Sequence, residues 1–420
     1  MKFNHKHIRS GMMALSAMAV LSACNKEPDE IPMPAPQPIS GTTIGAGISS
    51  RSEDSLFMRI VERGGLLDSL KNSGKSYTVW IPDSNAIKQF LIAAAGGALP
   101  ANASSAMVSG FIRTALPAAN ANAIASYHIA PGTVRYASLS SNFPNVQYPT
   151  LFNPAPTVSS LLRMTIFPSP RNFNYLNNIP VTLADQSSSN GTWHKIAAVN
   201  VPPSQFLWDR INTDTSMSYF KAAIQRADSG TTGTLQSALA NIGANLTVFV
   251  PSNAAFKALL YAQTYPAVYG SIYQQAIAGG ATPAQATAAA TAQAPTATTN
   301  LVGTPAVFSN PALYSSLTAT TVKGIAVYHV MGVRAFTNNF PTTRTNYPTL
   351  LNGAVAAHPG VGLSVTFTPS NAPMVSAASV KGAANATASN IAINPFPGGS
   401  SDQNYLNGVI HKLDQVLLPQ

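Results

Sequence analysis

The sequence predicts an α+β fold, organised as two tandem domains whose sheets are mostly antiparallel. Two observations support this. A set of four motifs occurs twice in the same order, with a period of about 200 residues, which indicates duplicated domains and not a short-period solenoid. Within each copy, helical periodicity surrounds a short strand, and a strand-rich middle leads to a closing strand. We therefore expect two copies of one α+β unit.

The repeated motifs combine aromatic or β-branched residues with residues that favour turns. They are Tyr77–Pro82 with Leu246–Pro251, Tyr127–Ile129 with Tyr328–Val330, Tyr148–Leu151 with Tyr347–Leu350, and Asn190–Ile196 with Asn407–Leu413. These matches predict one domain at residues 51–208 and another at 213–420. The second copy also carries an Ala- and Thr-rich insertion at about 262–320, whose composition indicates a surface excursion and whose alanines favour some helix.

The first motif has the same local prediction in both copies. Thr78–Ile81 and Thr247–Val250 are β-branched and aromatic runs stopped by proline, as expected of short buried strands. Asp83 and Ser252 follow as helix N-caps, because their side-chain oxygens can accept from free backbone N–H groups. Apolar residues then recur at i, i+3 and i+4, which predicts a helix packed on the sheet.

The N-terminal segment predicts export and lipidation. A basic stretch, an apolar stretch and small residues precede Cys24, so residues 1–23 are expected to be a signal peptide. The segment resembles the lipobox of bacterial lipoproteins, in which the cysteine is acylated. Residues 24–50 contain an acidic cluster and alternating prolines, and we expect a tether there. This layout resembles Bacteroidetes lipoproteins anchored in the outer membrane by lipid and exposed at the cell surface.

Composition restricts the classes of partner. The formal net charge is +10, but the positive residues are scattered, without a Lys/Arg run or interleaved aromatics, so nucleic-acid binding is not expected. Charged residues make up 9% of the chain and hydrophobic residues 45%, which is too apolar for a disordered protein. Cys24 is the one cysteine, so no disulfide can form within the chain.

The repeated motifs resemble those of the fasciclin domain family. The family's first signature block corresponds to Thr247–Phe256 and more loosely to Thr78–Ile87, and its closing block corresponds to Asn407–Pro419. In the first copy the closing block departs from the family pattern, since Ala197 replaces its aspartate. The resemblance covers roughly residues 50–420. It implies wedge-like β-sandwiches flanked by helices, on surface proteins that mediate adhesion and are not generally enzymes.

The family's central Tyr-His motif corresponds to Tyr127-His128 and Tyr328-His329. The resemblance implies a role in adhesion, so these four residues are the candidate partner-binding residues. The alternative is that each histidine forms hydrogen bonds inside its own domain and holds the packing.

Catalysis has little support in the sequence. No glutamate occurs beyond Glu62, and no carboxylate pair recurs at the matched motifs, so we expect no catalytic residues. His-x-x-x-His spacing is absent after Cys24, and no metal or other cofactor is expected. The leading function is non-catalytic adhesion or scaffolding through protein or glycan partners. The alternative is a carrier with a small-ligand pocket between helices and sheet. A hydrolase using Asp402 is a distant third.

Overall fold

The computed structural model describes residues 41–231, 234–369 and 374–420, and these residues form the predicted α+β fold. Two large, separate sheets organise two domains, and a two-stranded sheet accompanies them. The predicted signal peptide, Cys24 and most of the predicted tether lie outside the described residues. Among the described helices, none combines the length and apolar character that a membrane span requires.

The helices of the first domain precede or follow its first strand, and those of the second domain repeat this order with two much longer members. The α-helices are α1 Ile44–Ser50, α2 Ser55–Arg63, α3 Leu67–Lys71, α4 Ser84–Ala94, α5 Ser105–Thr114, α6 Ala118–Tyr127, α7 Leu207–Thr213, α8 Ser218–Ala227, α9 Thr234–Ala240, α10 Asn253–Ala278, α11 Pro283–Leu301 and α12 Ala319–Tyr328.

The strands range in length from two to ten residues. They are β1 Tyr77–Pro82, β2 Ile129–Pro131, β3 Tyr148–Pro149, β4 Thr165–Ile166, β5 Pro168–Ser169, β6 Tyr175–Leu176, β7 Ile179–Ser188, β8 Gly191–Ile196, β9 Leu246–Pro251, β10 Val330–Met331, β11 Thr345–Tyr347, β12 Val361–Phe367, β13 Val375–Lys381, β14 Ser389–Ile391, β15 Gln403–Tyr405 and β16 Gly408–Leu413.

The two sheets share one arrangement around their central strands. The first has the order β2-β1-β8-β7-β6-β5, and the second has the order β10-β9-β16-β14-β13-β12-β11, with β15 paired to β16. In each sheet the first strand is antiparallel to its short neighbour and parallel to the closing strand. The remaining ladders of both sheets are antiparallel. The two domains predicted from the repeated motifs therefore share the same strand pairing around their central strands.

The Asn-Gly turn before each closing strand closes its domain. Asn190 accepts from the Ile44 backbone N–H at 2.8 Å and donates to the Leu70 carbonyl at 2.8 Å, so the turn holds the first helices of its domain. Gly191 has φ 138°, and a Cβ there would collide with the backbone of Tyr77. Only glycine therefore lets β8 begin so close to β1. Asn407 repeats the arrangement with α7 and α9.

The central strands form the core of each domain. Trp80 and Ile81 in β1 are fully buried, and so are the matched Phe249 and Val250 in β9. Asp83 and Ser252 cap α4 and α10 as expected. Because strand and cap recur together, the helix after each first strand leaves the sheet in the same way.

The structure corrects the predicted domain edges. Residues 44–50 were assigned to the tether, but they form α1, and Ile44 and Ile48 are buried in the first core. Residue 208 was the predicted end of the first domain, but it lies inside α7, and Leu207 is buried in the second core. The first domain therefore begins before residue 51, and the second begins by Leu207.

The insertion of the second domain is more regular than its composition indicated. α10 and α11 pack against each other and form a helical hairpin, Asn253–Leu301. Toward its base, α10 buries Phe256, Leu260 and Thr264. The helix formers in this Ala-rich stretch, together with the capping box of Thr282, explain why it is helical and not an irregular loop.

Candidate functional site

The first Tyr-His motif is buried at the end of α6. His128 Nδ1 lies 2.7 Å from the Ile124 carbonyl, and Nε2 lies 3.0 Å from the Asn200 backbone nitrogen. A carbonyl can only accept and an N–H can only donate, so the ring is neutral with its proton on Nδ1. Burial lowers the pKa of His128 to about 4, in agreement with a neutral ring.

His329 repeats this geometry at the end of α12. Its Nδ1 donates to the Ile325 carbonyl at 2.8 Å, and its Nε2 accepts from the Leu417 backbone N–H at 2.9 Å. Burial again lowers the pKa to about 4. Each histidine therefore ties the last turn of a helix to the segment that follows the closing strand.

The tyrosine of the first motif reaches into the second domain. The Tyr127 hydroxyl donates to the Thr165 carbonyl at 3.3 Å and accepts from Asn404 Nδ2 at 3.1 Å. Burial raises the pKa of Tyr127, so the hydroxyl stays protonated. Tyr127 is therefore part of the joint between the domains.

The tyrosine of the second motif is used inside its own domain. The Tyr328 hydroxyl donates to the Gly360 carbonyl at 2.6 Å and accepts from the Ala383 backbone N–H at 2.9 Å. The equivalent hydroxyls thus hold different segments, one across the joint and one within a domain.

This burial contradicts the prediction that the four candidate residues bind a partner directly. Tyr127, His128, Tyr328 and His329 all have 0% exposed surface, and their polar atoms bind groups within the chain. No partner can touch them in this conformation. The alternative, that the motif holds the packing, fits the geometry, and any effect of these residues on binding must act through the fold.

A second buried histidine recurs with an aspartate that the sequence interpretation missed. In the first domain, His194 Nδ1 accepts from the Asp185 backbone N–H at 2.9 Å, and Nε2 donates to the Val134 carbonyl at 3.0 Å. The Asp185 carboxylate accepts from the backbone N–H groups of Tyr136 and Ala137 at 2.7 and 2.9 Å. Burial lowers the pKa of His194 to about 4.

The second domain has the same pair. His411 Nδ1 accepts from the Asp402 backbone N–H at 3.2 Å, and Nε2 donates to the Ala335 carbonyl at 2.8 Å. The Asp402 carboxylate accepts from the backbone N–H and the hydroxyl of Thr337, both at 2.7 Å. Burial lowers the pKa of His411.

The prediction concerned pairs of carboxylates, and what recurs in the structure is a single aspartate beside each of these histidines. Asp185 and Asp402 stand at the same spacing before His194 and His411, and both have left-handed backbone, with φ of 59° and 55°. The repeated Asp-to-His spacing was the signal in the sequence. The pairs do not make an acid–base dyad, because both ring nitrogens already bind backbone groups and the carboxylates bind backbone N–H groups.

Each domain also has an ion-pair cluster at its closing strand. Asp54, which is fully buried, pairs with Arg51 and Lys195. In the second domain Asp214 pairs with Lys412 at 3.2 Å. Lys195 and Lys412 occupy equivalent positions in β8 and β16, so each closing strand is tied to the start of its domain by charge.

Three aromatic pairs cross between the domains. They are Phe143 with Tyr347, Phe167 with Phe336 and Phe173 with Phe367, whose ring centroids are 4.4, 6.0 and 5.4 Å apart. Asn172 adds hydrogen bonds from its side-chain amide to the carbonyls of Asn338 and Phe340, at 2.9 and 3.2 Å. Aromatic area with directional amide contacts fixes the orientation of the two domains.

Arg334 is a buried cation at this joint. Its guanidinium lies 5.3 Å from the centre of the Phe167 ring. It donates to the Asn245 and Asn404 side chains and to the carbonyls of Tyr405 and Leu406, all at 2.9 to 3.2 Å. Burial lowers its pKa to about 10, so it remains charged at neutral pH. Neutral oxygens and an aromatic face therefore stabilise the charge.

One small cavity lies among the helices of the second domain. Its volume is about 120 Å³, and its walls include Phe256, Leu260, Phe308 and Val322. Pockets for small ligands typically measure about 300–1,000 Å³. Among the described residues, no group of three or more His, Cys, Asp or Glu side chains is placed to hold a metal ion.

Comparison with known proteins finds one similar family. The family model described as Fasciclin domain matches residues 53–202, so this part of the chain is similar to that family. A FAS1 domain pair from the insect cell adhesion molecule fasciclin I is a similar solved structure. The match covers 87% of this chain and 96% of that chain, with 14% identity and a TM-score of 0.27. No match was found among curated proteins.

Proposed function

We propose that the protein is a non-catalytic adhesion or scaffolding module that binds protein or glycan partners. Fasciclin domains occur in cell adhesion proteins, which supports this class. The proposal rests mainly on the hydrogen bonds of the four histidines that recur in the two domains. His128, His194, His329 and His411 each have both ring nitrogens bound to backbone groups. Histidine rings whose two nitrogens both bind the backbone hold the fold that shapes the surface, and they do not transfer protons to a ligand.

The joint supports a binding role as well. Because aromatic pairs and the Asn172 amide hold both domains in one orientation, exposed loops of either domain keep fixed positions relative to each other. Recognition loops on a rigid scaffold lose less conformational entropy when they bind. The carrier alternative is less well supported, since the cavity of about 120 Å³ is below the usual range for small-ligand pockets.

The proposal places the protein at the surface of a bacterial outer membrane, held by a lipid on Cys24. The test of function uses residues 41–420, without the predicted anchor, on protein and glycan arrays and on intact cells. Saturable binding to one class of material supports the proposal. Binding to none of them, by a protein shown to be folded, would contradict it.

A further inference from the structure

The hairpin formed by α10 and α11 lacks charge almost entirely. No Asp, Glu, Lys, Arg or His occurs between Lys257 and Lys323, although the whole chain has a formal net charge of +10. α11 buries a single row of residues, Ala286, Ala290, Ala294 and Thr298, at helical spacing. Its other faces are largely exposed. The hairpin is therefore a long neutral surface on a basic protein.

The exposed side chains of the hairpin are mostly small residues, hydroxyls and amides. The exposed polar side chains include Gln263, Gln274, Gln275, Thr287, Thr291, Gln293, Thr296 and Thr299. Hydroxyl and amide groups can both donate and accept hydrogen bonds without carrying charge. In this fully described segment, none of the large apolar side chains is strongly exposed; those that are, such as Leu161 and Phe396, lie elsewhere.

A row of tyrosines runs along α10. The ring centroids of Tyr261 and Tyr265 are 5.6 Å apart, and those of Tyr265 and Tyr269 are 6.1 Å apart. All three rings are half-buried, and their hydroxyls form no hydrogen bond with any described residue. Contact between neighbouring rings restricts their rotamers, so their polar edges are pre-organised for a ligand.

These properties select the chemistry of the partner. A charged ligand would find Lys257, at the base of the hairpin, as its one ionic partner there, and a lipid surface is usually met by large apolar and basic side chains. A second copy of the chain would need an exposed apolar centre for a stable dimer, which the hairpin lacks. A neutral polyol fits, because its hydroxyls both donate and accept and its C–H faces pack on aromatic rings.

We propose that the α10–α11 hairpin is the surface through which this protein binds a neutral polysaccharide. The inference rests on the proposed binding function and names its ligand class. It also accounts for the position of the hairpin in one domain only, since the matched helix of the first domain, α4, ends at Ala94 without such an extension.

The test is affinity electrophoresis of residues 41–420 through gels that contain neutral polysaccharides, with polygalacturonate as the anionic comparison. The variants are Tyr265→Ser with Tyr269→Ser, and a matched control, Tyr314→Ser. Tyr314 is an exposed tyrosine outside the hairpin. We expect retardation by at least one of amylose, dextran, mannan or galactan, equal at about 50 and about 500 mM NaCl. The double variant should bind at least about tenfold more weakly, and the control should bind like wild type.

A second variant guards against misfolding of the first. A Gly-Ser turn that joins Thr264 to Thr298 removes the distal hairpin and leaves the buried base of α10 in place. Loss of retardation by this variant, with an unchanged melting temperature, supports the inference. Equal binding without the hairpin overturns it, as does retardation by the anionic polymer alone that disappears in high salt. Binding to protein arrays without any binding to neutral polysaccharides overturns the inference while the proposed function stands.

Discussion

Acid should destabilise this protein well above the pH at which its carboxylates titrate. Burial lowers the pKa of His128, His194 and His329 to about 4. In the unfolded chain the histidine pKa is about 6.5. The stability that these histidines contribute is therefore fully present above pH 6.5 and is lost as pH falls toward 4. In that range the histidines of the unfolded chain bind protons and those of the folded chain do not.

The magnitude follows from the two pKa values. At about pH 5, linkage gives a loss of about 2 kcal/mol for each of these histidines, or about 4 kcal/mol for the first domain, which contains His128 and His194. That loss is a large share of the stability of an ordinary domain, about 5–15 kcal/mol. Marked destabilisation of the first domain at pH 5 is the expected result.

The assay is urea unfolding followed by tryptophan fluorescence at about pH 7.5 and about pH 5.0. His128→Gln should reduce the pH-dependent part of the loss by about 2 kcal/mol, whatever its effect at pH 7.5. Tyr127→Phe is the control: it removes neighbouring hydrogen bonds but no group that titrates in this window, so its pH-dependent loss should equal that of wild type. Equal stability of wild type at both pH values would refute the reasoning.

Further substitutions test the packing, the joint and the anchor. Trp80→Ala should cost about 3–5 kcal/mol in urea unfolding, because the ring is fully buried; a cost below about 1 kcal/mol would contradict that burial. Asp402→Ala should cost about 2–4 kcal/mol by the same assay, since the carboxylate accepts two hydrogen bonds from Thr337. Asn404→Ala should increase proteolytic cleavage between the domains, because it removes bonds to Tyr127 and Arg334; an unchanged cleavage pattern would argue against the joint. Cys24→Ala should move the protein from the membrane fraction to the soluble fraction, and retention in the membrane would refute lipid anchoring.

The sequence predicted the fold well because its signals are local and occur twice. Proline after a β-branched run marks the end of β1 and of β9, and a capping residue marks the next helix. Each signal depends on neighbouring residues only. Repetition of the signals in the same order then fixed the number of domains.

The buried aspartate and histidine contacts could not be predicted in the same way, because they depend on the pairing register of neighbouring strands. β7 pairs with β8 through irregular steps between Val181 and Gln186, and these place Asp185 against the chain after β2. The alternation of apolar and polar residues along a regular strand does not predict such a shift in register. The first helix escaped prediction for another reason, since α1 follows a proline-rich stretch that favours an extended tether.

Tyr127 and Tyr347 belong to repeated motifs, but the other joint residues have no signal in the repeat. Arg334, Asn172 and Phe336 act in pairs that combine one residue from each domain or from distant segments of one domain. A comparison of the two copies detects the residues that they share, and these three residues are not among them. They become visible only once both domains are folded and placed together.

The asparagine turns have a consequence for how such a chain can be rearranged. Asn190 holds the start of α1, and Asn407 holds the start of α7, so the entry and exit of each domain lie side by side. A domain whose ends meet can be cut open at a surface loop and rejoined through a short linker with little strain. Circular permutants of either domain should therefore fold, and the same geometry lets a gene for one unit be copied in tandem without a long connector.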